Sequence, residues 1–241
     1  LVVSNVPENK TIYLFINRIY YFVLYIMVLI SHKHRFIYIK NIKVASTSVE
    51  AFFEPYCIDP REKHVVTHRV DEKVSKYGII GARQKGNYTV WHNHMTAEEI
   101  KKNVGNWKFD KYFKFSVVRN PYDKMVSLFH WRGNAFNDNI EEMKKEFKEF
   151  CKTNGCNSMR IHTVENVPIC NFYIRYENLD EDVEKVCNRL KLKCKRPIRL
   201  PYLKTQTRPK RIHYREYYDD ETKEIVFQKH RKEITYFGYE F

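Results

Sequence analysis

Lys43, Ala45, Ser46, Thr47 and Ser48 stand between an apolar run at 36–40 and a helix-like run from about 47 to 55, with no glycine among them. A lysine leaving a buried strand brings a cation to the corner. Three consecutive hydroxyls at a helix start add donors where backbone N–H groups already face outward, and the combination suits an oxyanion. A purely local reading competes with it, because Thr47 and Glu50 have capping-box spacing and Glu50 would then fold back on the helix start. Lys43 favours the anion. The stretch is not a Walker A loop, which needs glycines and a lysine at the helix start, so an ATPase or kinase is disfavoured.

Other clusters carry chemistry. Arg119 closes a strand expected at 112–118. A helix then starts with Asn120 as cap, Pro121 at its first position and Asp123 in its first turn. The rigid guanidinium fork of Arg119 and the hydroxyl of Ser127, two turns along that helix, can close on one phosphate. Tyr176 lies in a strand-to-helix unit at 170–192, whose apolar Leu179, Val183, Val186 and Leu190 have helical spacing. Lys204, Thr205 and Thr207 sit in a basic loop at 200–211. His92 and His94, in "WHNHMTAEEI", precede a helix expected to open at Thr96, and histidine suits proton abstraction near neutral pH.

The order Lys-x-Ala-Ser-Thr-Ser after a strand resembles the 5′-phosphosulfate loop of sulfotransferases that use 3′-phosphoadenosine 5′-phosphosulfate (PAPS). "RNPYDKMVS" (119–127) resembles that family's 3′-phosphate motif, R-[ND]-P-x-[DE]-[KR]-x-x-S, and "RYENL" (175–179) its R-Y-E-[DN]-L segment. The likeness spans roughly residue 36 to the closing "FGYEF". It implies an α/β fold with a P-loop-NTPase-like central parallel sheet flanked by helices on both faces. It also implies transfer of a sulfuryl group from PAPS to a hydroxyl, with a carbohydrate as the expected acceptor and no metal in the scheme.

By the same resemblance Lys43 meets the bridging and leaving oxygen, and Ala45, Ser46, Thr47 and Ser48 hold the phosphosulfate. Arg119 and Ser127 bind the 3′-phosphate. Tyr176 contacts the adenine, against the plain alternative of a core aromatic at a strand end. Lys204, Thr205 and Thr207 cover the nucleotide, against a solvated basic loop. The His-x-His element is similar to one in uronyl 2-O-sulfotransferases, which makes His94 the base and His92 its support or an acceptor contact; Glu98 is the alternative base.

The whole chain sets bounds. Of its 241 residues, Lys and Arg number 43 against 29 Asp and Glu, a net charge of +14 that favours a polyanionic partner. A non-enzymatic basic module for nucleic acid or acidic glycan is therefore the alternative function. No RNA-binding signature accompanies the aromatics, so no specific nucleic-acid partner is expected. Six cysteines without a CxxC pair give no zinc site.

Residues 1–35 read as an N-terminal apolar segment and 36–241 as the sulfotransferase domain. The twelve apolar residues 19–30, extended by 12–16, fall short of the roughly 20 that a membrane span needs. Lys33 and Arg35 favour a cytoplasmic side after them. Either 12–30 anchors the protein with its domain in a Golgi-like lumen, where the sequons at Asn9 and Asn87 matter, or the protein starts at Met27 and is cytoplasmic and soluble.

Further elements are expected as a short helix near Asp71, a polar helix at about 139–152 and a last helix at 219–234. Strands alternating with helices imply a mainly parallel sheet whose ligands bind beyond the carboxyl ends of the strands.

Overall fold

The computed structural model describes residues 28–62, 71–82, 87–92, 95–134, 139–201 and 212–241. Its main sheet has six strands: β1 (Val28–Ser31), β2 (Phe36–Ile39), β3 (Lys73–Val74), β4 (Gly78–Ile80), β5 (Phe113–Val118) and β8 (Phe172–Arg175), in the order β3-β4-β1-β2-β5-β8. A separate two-stranded ribbon pairs β6 (Thr163–Val164) with β7 (Val167–Pro168). The helices are α1 (Ser46–Phe53), α2 (Ala97–Val104), α3 (Asn106–Lys111), α4 (Pro121–Trp131), α5 (Ile140–Thr153), α6 (Leu179–Arg189) and α7 (Asp220–Phe237).

The chain is thus mixed α/β, as expected, but only half of the sheet is parallel. β2 pairs with β5 and β5 with β8 in parallel, whereas β1, β4 and β3 extend the sheet by antiparallel pairing. The departure begins at β1. Val28, Leu29 and Ile30 end the apolar run that looked like a membrane segment, and here they pair with β2 and are buried on both sides. The domain drawn from residue 36 therefore takes in at least 28–35. Among the described residues no helix is long and apolar enough to cross a membrane. The rest of the run, 12–27, lies outside them.

The short helix expected near Asp71 is replaced by β3. Asp71 and Glu72 are drawn into bonds with the segment at 87–90, from Asn87 N–H to the Asp71 carboxylate at 2.7 Å and from Val90 N–H to that of Glu72 at 3.0 Å, so neither carboxylate caps a helix. Gly78, at the start of β4, lies so close to the Ile30 and Cys57 carbonyls that a Cβ would collide with both.

Side chains alternate across the strands and build two cores. Val28, Ile30, Ile37, Ile39 and Val118 face α2, α3, α4, α5 and α7. Leu29, Phe36, Tyr38, Phe115, Val117 and Ile174 face α1 and α6. Helices therefore cover both faces, as the alternating elements imply. On the α1 side, Phe53 packs its ring 4.8 Å from that of Phe115, and Tyr38 stacks at 5.2 Å on the same ring. A buried aromatic of this size contributes roughly 1.5–3 kcal/mol, which holds α1 rigidly against the sheet.

Local rules decide most helix starts. Thr96 forms the capping box with Glu99 that opens α2. Asn120 caps α4, with Pro121 and Asp123 in its first turn. α4 is then fixed from beneath. Lys124, with no exposed surface, places its ammonium 2.6 Å from each carboxylate oxygen of Glu233 on α7 and 2.9 Å from the Ser158 hydroxyl.

Candidate functional site

β2, β5 and β8 run in the same direction, so the corners β2–α1, β5–α4 and β8–α6 fall at one edge of the sheet. The first corner is pinned from several sides. Lys40 turns inward as a buried ion pair with Glu50 of α1. The Tyr38 hydroxyl donates to the Ser46 carbonyl at 3.2 Å. Asn41 donates to the Val117 carbonyl of β5 at 3.0 Å and accepts from Ile42 N–H at 2.7 Å.

Between these anchors Lys43 and Ala45 both take left-handed backbone angles, each with φ of 57°, around a Val44 that is wholly buried. Such angles cost a residue other than glycine about 1–3 kcal/mol and persist only where the surroundings enforce them. Alternating backbone hand turns successive N–H groups toward one side, as in an anion-binding nest.

The capping-box alternative is overturned here. α1 starts at Ser46, and its N-cap is Ala45, whose methyl side chain makes no capping bond. Thr47 and Glu50 therefore do not occupy the two capping-box positions, and Glu50 is held in the core by Lys40. Ser46 and Ser48 are largely buried beside the loop, and Thr47 is half-buried.

Arg119 joins all three corners. One terminal nitrogen donates to the Lys43 carbonyl at 3.1 Å; Nε and the other terminal nitrogen each lie 2.7 Å from the Asp123 carboxylate; and the guanidinium sits 4.0 Å above the Tyr176 ring. Among the described residues these contacts use three of the five N–H donors of an arginine and leave one on each terminal nitrogen. Tyr176, assigned to an adenine, thus also serves as the platform for Arg119. Its neighbour Glu177 accepts from Asn120 N–H at 2.7 Å, and Asn120 donates to the Glu240 carbonyl at 2.7 Å, so the chain's closing residues brace the same corner.

Asp123, Ser127 and Trp131 recur at i, i+4 and i+8 as the less buried stripe of α4, whose other residues are buried. Asp123 holds Arg119 at one end. At the other, the Lys43 ammonium lies 5.2 Å from the centre of the Trp131 ring, and Ser127 falls between Asp123 and Trp131 along the helix.

No protein-family model matches the chain, and no solved structure matches it. A curated protein of Archaeoglobus fulgidus, described only as uncharacterized, is 33% identical over 109 residues, an alignment that covers 83% of that protein and 41% of this chain. This chain belongs to that archaeal protein's family. The relative's description assigns the family no activity, so function rests on the site itself.

The structure brings Lys43, Ala45, Ser46, Thr47, Ser48, Arg119, Ser127 and Tyr176 to one edge. His92 reaches the same edge by another route. β4 is antiparallel to β1, which is antiparallel to β2, so β4 ends on the side where β2 ends. Just beyond it Ala82 N–H donates to the Trp91 carbonyl at 2.8 Å, and the half-buried His92 follows, its ring 5.0 Å from that of Tyr88. Two strand spacings, roughly 10 Å, separate β4 from β2. His94 lies outside the described residues, as do Lys204, Thr205 and Thr207. Glu98, the alternative base, is exposed and accepts from Glu165 N–H at 3.0 Å, so it serves the β6–β7 turn.

Asn41, Asp123, Trp131 and the Lys40–Glu50 pair emerge only in the structure. The i, i+4, i+8 spacing of Asp123, Ser127 and Trp131 was the available signal for two of them. Nothing local marks Lys40 as buried.

Proposed function

We propose that this protein is a PAPS-dependent sulfotransferase acting on a hydroxyl of a carbohydrate, with a P-loop-like arrangement of its parallel strands. One observation carries the reading. Arg119, Lys43 and Tyr176, drawn from three separate motifs, meet through the 3.1 Å bond to the Lys43 carbonyl and the 4.0 Å stack on Tyr176. The start of α1, where the N-cap Ala45 has no capping side chain, and the left-handed pair at Lys43 and Ala45 support it, because together they favour an anion at the corner.

In this mechanism Ala45, Ser46, Thr47 and Ser48 surround the 5′-phosphosulfate, and Arg119 and Ser127 hold the 3′-phosphate. An acceptor hydroxyl attacks the sulfur in line. The sulfur–oxygen bond to the bridging oxygen breaks, a new bond forms to the acceptor oxygen, and the electron pair stays on the phosphate, leaving adenosine 3′,5′-bisphosphate. Lys43 stabilises the charge that grows on that oxygen. The acceptor proton passes to His94, with His92 in support, and the base must be neutral to take it.

The direct test supplies PAPS together with uronate-containing oligosaccharides and follows release of adenosine 3′,5′-bisphosphate and the sulfated product. Acceptor-dependent release is expected, and His94→Ala should lower it by about 10²–10⁴-fold. A folded protein that binds these glycans tightly but never consumes PAPS would instead be the basic binding module that its net charge of +14 also allows.

A further inference from the structure

We propose that Trp131 is the positioning residue for the Lys43 ammonium and so selects ligands that carry an anion at the 5′ end of the nucleotide. The inference rests on the sulfotransferase reading and adds to it a residue that no motif names. Lysine is a point charge on a flexible four-carbon stem, and a loop alone does not fix where its ammonium lies.

Here both ends of the residue are held against the same helix. Its carbonyl accepts from Arg119, which is bound to Asp123, and its ammonium lies 5.2 Å from the centre of the Trp131 ring, within the range of cation–π attraction. Asp123 and Trp131 are eight residues apart, about 12 Å along the helix axis. Lys43 therefore spans the stripe of α4, and Ser127 lies midway. The stripe offers two cationic positions, Arg119 at one end and Lys43 at the other, which suits a ligand with two separated anionic groups.

Trp131 is itself anchored. It packs on the core cluster that contains Met125, Leu128 and Phe129, and its helix is tied to α7 through Lys124 and Glu233. The ring thus keeps the ammonium extended toward the 5′ position before any ligand arrives, a preorganisation that lowers the cost of binding.

The test compares adenosine 3′,5′-bisphosphate with adenosine 3′-monophosphate by calorimetry, in the wild type, Trp131→Leu and Trp131→Phe. Trp131→Leu should weaken the bisphosphate about five- to tenfold, the range a cation–π contact supports, and leave the monophosphate within about twofold. Trp131→Phe keeps an aromatic face and should recover most of the loss. In a Lys43→Met background the effect of Trp131→Leu on the bisphosphate should vanish. An equal loss for both nucleotides marks a structural role and overturns the proposal, as does no loss for either. A wild type that binds neither nucleotide overturns the sulfotransferase reading and this inference with it.

Discussion

On the proposed sulfotransferase reading, Lys43→Ala should lower sulfuryl-transfer turnover by about 10²–10³-fold, the usual cost of removing one preorganised group that meets developing charge. Adenosine 3′,5′-bisphosphate should still bind within about tenfold of the wild-type affinity, because Arg119, Ser127 and the backbone of the corner remain. The asymmetry follows from chemistry. Charge on the bridging oxygen is greatest in the transition state, so a cation placed there acts more on rate than on ground-state binding. The Lys40–Glu50 pair and the bonds of Asn41 and Tyr38 that pin the loop all remain in Lys43→Ala. Steady-state assays with PAPS, beside calorimetry on the same preparations, separate the two effects. Unchanged turnover in Lys43→Ala would remove the lysine from the reaction and favour a basic binding module.

Lys124→Ala should destabilise the protein by about 3–5 kcal/mol, because it leaves the Glu233 carboxylate buried without its cation. For a chain of this size that is a fall in melting temperature of roughly 6–20 °C. Burial alone would push the Glu233 carboxyl up, yet the Lys124 ammonium, with His230 and the Ser158 hydroxyl, pulls it from 4.5 down to about 2. A depressed carboxylate stabilises the fold fully above 4.5 and loses that contribution as pH falls toward 2.

His162 acts earlier on the acid side. It is wholly buried, its Nδ1 lies 3.2 Å from the Tyr173 hydroxyl, and burial lowers it from 6.5 to about 4, with Glu233 and Lys124 nearby acting in opposite senses. As pH falls through 6.5 the unfolded chain takes up a proton that the folded one refuses until about 4, so stability drops across that window. Each group accounts for about 3 kcal/mol. Melting curves should therefore shift downward progressively from pH 6.5 to 2, in addition to the Lys124→Ala loss at neutral pH. The double change Lys124→Met with Glu233→Leu should recover most of that neutral-pH loss, since two apolar groups of similar volume need no pairing. A Lys124→Ala protein within 1 kcal/mol of wild type would show that the pair does not anchor α4.

Where local chemistry dictated structure, the sequence was readable. Asn120-Pro121 and Thr96-x-x-Glu99 open α4 and α2 where their letters say, and the apolar runs before Lys43, Arg119 and Tyr176 are the three parallel strands. Long-range pairing was not readable. β1 is written as part of an unbroken apolar run, and the turn that separates it from β2, with Arg35 at φ 52°, contains neither glycine nor proline. β3 has two residues, too few for a period. At Glu50 a capping pattern lost to a distant partner, because Lys40 needed a counter-ion in the core. The residues of the proposed anion site stood out by their types and spacing. Trp131 was not, because an aromatic on a helix ordinarily reads as core.

Calorimetric titration of the full chain with adenosine 3′,5′-bisphosphate, beside an Arg119→Ala variant of equal helical content, tests the central reading most directly. Micromolar binding is expected for the wild type, with AMP and ATP far weaker and the bisphosphate lost in Arg119→Ala. Absence of bisphosphate binding by a folded wild-type sample, or equal binding by Arg119→Ala, would contradict the sulfotransferase reading.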